Sequence, residues 1–150
     1  MKLETSIAPP ATMPNGLQAS DEGLYFIDQA TDEIVLLDDD LQPVRIVPTP
    51  TENGSGLTVG DGYFWTASNA PAQSRYRRPG DVGWSAIEKV DMDTGELEER
   101  FPTPDGGGIH GLEWVDGLLW ITCFRPKGMK LVDPKDFRVI RSIDVPYERP

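Results

Sequence analysis

One phrase is written three times along this chain, and nothing constrains its fold more. "NGLQASDEGLYFID" from Asn15, "SGLTVGDGYFWTA" from Ser55 and "HGLEWVDGLLWIT" from His110 each open on a Gly-Leu pair. A short strand-like run follows, then an acidic residue and a glycine: Glu22-Gly23, Asp61-Gly62 and Asp116-Gly117. A run of aromatic and β-branched residues comes next. An acidic-Gly pair between two such runs predicts a β-hairpin, because glycine takes the positive φ of a tight turn without strain.

The copies continue alike. A third run ends in Asp each time, at Asp38, Asp91 and Asp133, and after a polar turn a fourth run ends in proline ("VRIVP", "LEERFP", "VIRSIDVP"). Gly16 lies 40 residues before Gly56, and Gly56 lies 55 before Gly111. Four short antiparallel strands per repeat at this period predict β-propeller blades. The reading is an all-β chain of three four-stranded antiparallel blades, over residues 16–50, 56–104 and 111–146. A generic β-sandwich is the competing architecture, and it does not require copies this similar.

Propellers usually close with about four to eight blades, so three leave two open edges. The final "VPYERP" reads as a connection toward another Gly-Leu strand. Two explanations stand side by side: a piece of a longer propeller, or a homodimer closing a six-bladed ring about a twofold axis. Lys2 to Ile7 resembles an additional outer strand. Composition then sets the surroundings. Hydrophobic residues at 38% and charged residues at 26% suit a soluble globular chain. A net charge of −11 excludes a general nucleic-acid binder, and no apolar run reaches the roughly 20 residues of a membrane helix. The lone Cys123 has no internal disulfide partner, which points to a reducing, cytoplasmic setting.

Alternating strand direction assigns each loop to a face. The connections entering the innermost strands, and those between the second and third strands, emerge on one side. Asn15, Ser55 and His110, just before each Gly-Leu pair, should therefore ring one mouth of the channel. On that same side the second repeat carries 13 additional residues: Gly56 to Asp91 spans 35, against 22 for both Gly16 to Asp38 and Gly111 to Asp133. This lid-like insert, residues 68–85, holds Arg75, Tyr76, Arg77, Arg78 and Trp84; the third repeat adds Arg125 and Lys127. Arginines beside a channel mouth suit a carboxylate or phosphate on a small-molecule ligand.

The phrase "PNGLQASDEGLYFIDQATDEIVLLDDDLQ" resembles the inner-blade phrase of the senescence marker protein, gluconolactonase and regucalcin family of six-bladed propellers. "GLTVGDGYFWTAS" and "GLEWVDGLLWITC" are also similar to strands of virginiamycin B lyase and of NHL-repeat propellers. The resemblance implies a divalent metal ion in the channel, held by Glu, Asn and Asp ahead of the inner strands, and a lactonase-like hydrolase. Asn15 matches the metal-binding Asn of that pattern. Ser55 and His110 stand where Asp would be expected, and no Glu of the expected kind is present. The lyase resemblance implies channel His and Glu residues instead.

The residues themselves make His110 the best general acid or base, since imidazole titrates near neutrality. Glu113, three residues on in the inner strand, is its expected assistant. The site reading is thus His110 and Glu113 as catalytic groups and Asn15 and His110 as metal ligands. Ser55, Arg75, Tyr76, Arg77, Arg78 and Arg125 are the expected substrate contacts. The function expected is a small-molecule hydrolase or lyase preferring anionic substrates. The alternative is a non-enzymatic ligand- or protein-binding propeller that uses the insert as its contact loop.

Overall fold

The computed structural model describes residues 8–104, 108–124 and 127–146. Within them the chain forms twelve strands and no helix. The first sheet holds β1 (Pro14–Ser20), β2 (Gly23–Asp28), β3 (Glu33–Leu37) and β4 (Pro43–Pro48). The second holds β5 (Gly54–Gly60), β6 (Tyr63–Ser68), β7 (Ala86–Asp91) and β8 (Leu97–Pro102). The third holds β9 (Ile109–Val115), β10 (Leu118–Phe124), β11 (Lys127–Val132) and β12 (Val139–Asp144). Each sheet is a four-stranded meander in sequence order, and every neighbouring pair is antiparallel. These are blades, each beginning two residues ahead of its Gly-Leu pair. The extra strand expected over Lys2 to Ile7 lies outside the described residues.

The hairpin turns explain the acidic-Gly pairs, with one correction. Asp61-Gly62 and Asp116-Gly117 hold positive φ at both central positions, +54° and +79° in one turn and +51° and +79° in the other. That is the type I′ geometry whose twist matches a two-stranded ribbon. In the first blade the loop is Asp21-Glu22, and Gly23 already pairs with Ser20 as the first residue of β2. Glu22-Gly23 is therefore not the turn. Gly23 lies at φ +134° with its α-carbon packed against the Leu37 carbonyl, where a side chain would not fit. Aligned by structure, Tyr25 corresponds to Trp65 and Trp120, since each lies one residue before the cross-strand partner of its Gly-Leu leucine.

The aspartates ending the third strands hold the turns that follow them. Asp38 Oδ1 accepts the Asp40 and Gln42 amides at 3.0 and 2.9 Å. Asp91 Oδ1 accepts those of Asp93 and Thr94 at 2.9 and 2.8 Å, and Asp133 Oδ1 that of Lys135 at 3.0 Å. This repeated Asx-type turn is why the residue recurs.

Blades pack face to face through two joints. In the first, Tyr25, Ile27, Ile34, Leu36 and Val47 meet Leu57, Phe64 and Val90 of the second blade. In the second, Trp65, Ala67, Ile87 and Phe101 meet Ile109, Leu112, Leu119, Ile121, Cys123 and Val132 of the third. Both joints use the Gly-Leu pair in the same way. The leucine packs backward onto the preceding blade, and the glycine lets the following inner strand approach. A Cβ on Gly16 would lie 2.8 Å from the Leu57 amide nitrogen, and one on Gly56 2.9 Å from the His110 carbonyl oxygen. Across the channel side, Thr58 donates to Gln18 Oε1 at 2.6 Å and accepts the Trp114 amide at 3.1 Å, tying β1, β5 and β9 together.

Candidate functional site

The channel mouth is floored by a chain of side-chain amides. Asn15 Nδ2 reaches Gln29 Oε1 at 3.4 Å, Gln29 Nε2 donates to Asn53 Oδ1 at 2.6 Å, and Asn53 Nδ2 to the Asn69 carbonyl at 3.1 Å. Asn69 Nδ2 then donates to Ser55 Oγ at 2.7 Å and to the Ile109 carbonyl at 2.6 Å, while its Oδ1 accepts the Ile109 amide at 2.8 Å. The chain runs from the first blade through the second to the third. Local geometry sets it up: Gln29 and Asn69 occupy the same place, just past the second strand of their blades. Asn53 enters β5 at φ +57°, a conformation Asn tolerates better than most residues.

Above this floor lies a cup of about 570 Å³, lined by Gln29, Asn53, Ser55, Asn69, Gln73, Ser85, Gly108, His110 and Phe124. Among the described residues His110 is the sole titratable side chain in the wall. His110 is exposed and meets the Phe124 ring edge-on, with centroids 4.2 Å apart. The Ser55 hydroxyl donates to the Ile109 carbonyl and accepts from Asn69. Buried in this way, Ser55 latches the third blade to the floor while also lining the cup.

The insert is moored to the scaffold at both ends by ion pairs and hydrogen bonds. Arg75 is nearly buried between Asp32 (2.5 Å from Nε) and Asp81 (2.8 Å from Nη1). Asp81 pushes the Arg75 guanidinium further up, and Arg75 in turn holds the Asp81 carboxyl below the usual range. Burial nevertheless raises Asp32 above its ordinary value, with Arg75 pulling the other way. Arg78 donates to the Thr31 carbonyl at 2.8 Å, and Arg77 to that of Asp81 at 3.1 Å. Glu52, itself buried, accepts the amides of Val82 and Gly83 at 2.5 and 3.0 Å and clamps the far end of the loop. Tyr76 projects into solvent at 97% exposure.

Arg75, Tyr76, Arg77 and Arg78 were expected to meet an anion, but none of them lines the cup. The insert contributes Gln73 and Ser85 in their place. Arg125 lies outside the described residues. Glu113 also stands apart from His110. A strand rises about 3.3 Å per residue, which carries Glu113 down the channel, where it pairs across to Trp120 and takes no part in lining the cup.

The residues at the mouth do not fit the divalent cation that the resemblance implies. Ca²⁺ and Mg²⁺ call for several oxygens, carboxylates above all. Here the Asn15 Oδ1 accepts its neighbouring Gly16 amide at 3.0 Å and Ser55 is engaged in the latch. Among the described residues no group of three His, Cys, Asp or Glu side chains is placed to hold a metal ion. Sequence reasoning also missed Gln29, Asn53 and Asn69. Their signal is positional, an amide following "YFID" and another following "WTAS", legible once the repeats are superposed.

The sheets and their face-to-face packing define a set of β-propeller blades. Solved structures of that class bear this out. A glutaminyl cyclase from Myxococcus xanthus superposes with a TM-score of 0.66 at 17% identity, over 88% of this chain and 53% of its own. Kuenenia stuttgartiensis hydrazine synthase gives 0.64 at 12% identity, over 100% of this chain and 41% of its own. Virginiamycin B lyase from Staphylococcus aureus gives 0.59 at 19% identity, over 89% of this chain and 42% of its own. This chain thus spans about half the length of these proteins or less. No family model matches it, and no curated protein is similar to it. No helix among the described residues is long and apolar enough to cross a membrane.

Proposed function

We propose that this chain is a propeller-borne hydrolase or lyase acting on an uncharged small molecule held in the channel-mouth cup. The observation that carries the reading is the placement of one imidazole, His110, in a wall otherwise built from neutral amides, hydroxyls and a phenyl ring. A primary amide has two N–H donors. The floor engages one on Gln29 and one on Asn53, which leaves a second on each for a ligand carbonyl or hydroxyl. With no carboxylate among the described residues of the wall and the insert arginines tied to the scaffold, the described lining suits an uncharged ligand.

Two reactions fit this equipment. In hydrolysis His110 takes a proton from water as the water oxygen bonds to an acyl carbon, the amides steady the negative charge on the carbonyl oxygen, and as the carbonyl re-forms the bond to the ester oxygen or amide nitrogen breaks, with His110 giving its proton to that leaving atom. In elimination His110 takes a proton from carbon, and that electron pair becomes the new double bond while the leaving group departs with its own bonding pair. Neither route calls on a metal.

The test is a panel of neutral lactones, esters and amides, with acid congeners alongside, assayed for turnover and separately for binding. His110→Gln should lower turnover by about 10²–10⁴-fold with binding retained. Turnover unaffected by His110→Gln would sink the assignment. Binding without turnover across the panel would favour a ligand-binding propeller.

A further inference from the structure

The Gly-Leu pair makes each blade a connector with two different sides, and the molecule shows both sides used and both left open. Leu57 and Leu112 pack backward onto the preceding blade at 2% and 8% exposure, whereas Leu17, their counterpart in the first blade, is 67% exposed. Its neighbours on that face include Val44 and Ile46, each at 56%. Behind it Leu24, Phe26, Leu37 and Leu41 line an apolar groove of about 490 Å³. Forward, the relation inverts. Gly16 and Gly56 each receive backbone of the next inner strand, but a Cβ on Gly111 would meet only Thr122 of its own sheet.

The third blade's forward face repeats the pattern. Trp120 stands where Tyr25 and Trp65 are covered, at 1% and 2% exposure, by the following blade. It is itself only half-buried, in register with Leu131, while Met129 and Ile143 pair one step along the same face. One end of the described blades thus offers the leucine side of the joint and the other end the glycine side.

We propose that a second copy of this chain completes both joints, the first blade of each copy docking on the third blade of the other. Leu17 of one copy enters against Gly111 and Trp120 of its partner, continuing the joints already present within the chain. Two copies of three sheets make six blades, inside the usual range of about four to eight, while three copies would overshoot it. The two contacts are equivalent under a twofold axis, so the assembly closes and leaves no open face for a third copy. Closure also sets two cups around one channel mouth.

The experiment is the solution mass of the 150-residue chain by light scattering during gel filtration, across a micromolar dilution series. The expected mass is twice the 16.6 kDa of one chain. Leu17→Arg would bury a charge in the joint and should weaken association by about a hundredfold or more. Gly111→Ala meets only the Thr122 Oγ1 at 3.1 Å within its own chain, so each blade should keep its circular dichroism and its fold. Its methyl would nonetheless press on the partner's inner strand and weaken association by about tenfold. Tyr76→Ser, on the exposed insert, should leave the mass unchanged.

A single-chain mass at every concentration would overturn the proposal and assign the two faces to blades of another polypeptide. A dimer indifferent to both Leu17→Arg and Gly111→Ala would overturn it as well. Neither result bears on turnover at His110.

Discussion

The two inter-blade joints solve the same packing problem with different chemistry. The joint between the second and third blades is held by a column of stacked rings: Trp114 on Trp65 at 5.4 Å, Trp65 near Phe101 at 6.0 Å, and Phe101 on Phe137 at 4.5 Å. The joint between the first and second is apolar at its centre but carries buried polar groups toward the channel mouth. Asp32, Glu52 and Glu88 are all buried there, with Arg75 and Arg100 as partners and a Thr51–Thr66 hydroxyl contact at 2.8 Å. A misfit in the aromatic joint costs contact area. In the polar joint it strands a buried carboxylate without its cation, a penalty of electrostatic and not of contact origin. The aromatic joint is therefore specified by shape and the polar joint by pairing.

That contrast can be broken from either side. Trp65→Ala removes the middle of the aromatic column and should cost about 4 kcal/mol, in the usual range for a buried Trp, read from denaturant unfolding. Arg75→Met keeps the bulk but strands Asp32 and Asp81, and should cost about 3 kcal/mol, the lower end for a broken buried pair. Equal tolerance of the two changes would erase the distinction.

A smaller effect sharpens it. Burial pushes the Glu88 carboxyl above its ordinary value, against the pull of Arg100. The folded state then keeps the Glu88 proton at a pH where the unfolded chain has released it, so this residue's contribution to stability falls as pH rises through the folded pKa. Glu88→Gln should flatten that fall, because the amide has no proton to release over this range. Stability followed against pH for both proteins checks it. An unchanged slope would mean that Glu88 is ionised throughout.

The fold was legible because the chain repeats itself, and repetition is what periodic reading detects. The hairpin turns of the second and third repeats fell where an acidic-Gly pair placed them. The first misled by one residue because its glycine serves close packing against Leu37 and not the turn. The site was legible only as a location. Asn15, Ser55 and His110 do stand at the entry to their inner strands, and Ser55 also serves there as a latch to the third blade, which its position alone does not show. The arginine cluster shows why. Nothing local in "SRYRRPGD" reveals that Arg75 will find Asp32, 43 residues upstream, or that Glu52 will hold the loop's far end. Pairing across blades depends on three-dimensional neighbours that a repeat pattern does not encode.

The same blade positions give this protein a set of internal optical reporters. Its four indoles occupy three separate environments: Trp65 and Trp114 stacked in a joint, Trp84 on the insert at 44% exposure, and Trp120 on the open forward face. Stacked indoles couple electronically through their strong far-ultraviolet transition, so a dichroic couplet in that region belongs to the joint and disappears when those blades part. Emission from Trp84 follows the insert leaving its ionic moorings, while a blue shift of Trp120 on concentration would report a second chain covering that face, as proposed above. Separation of blades, release of the loop and meeting of chains thus carry different spectral signatures in one unlabelled polypeptide.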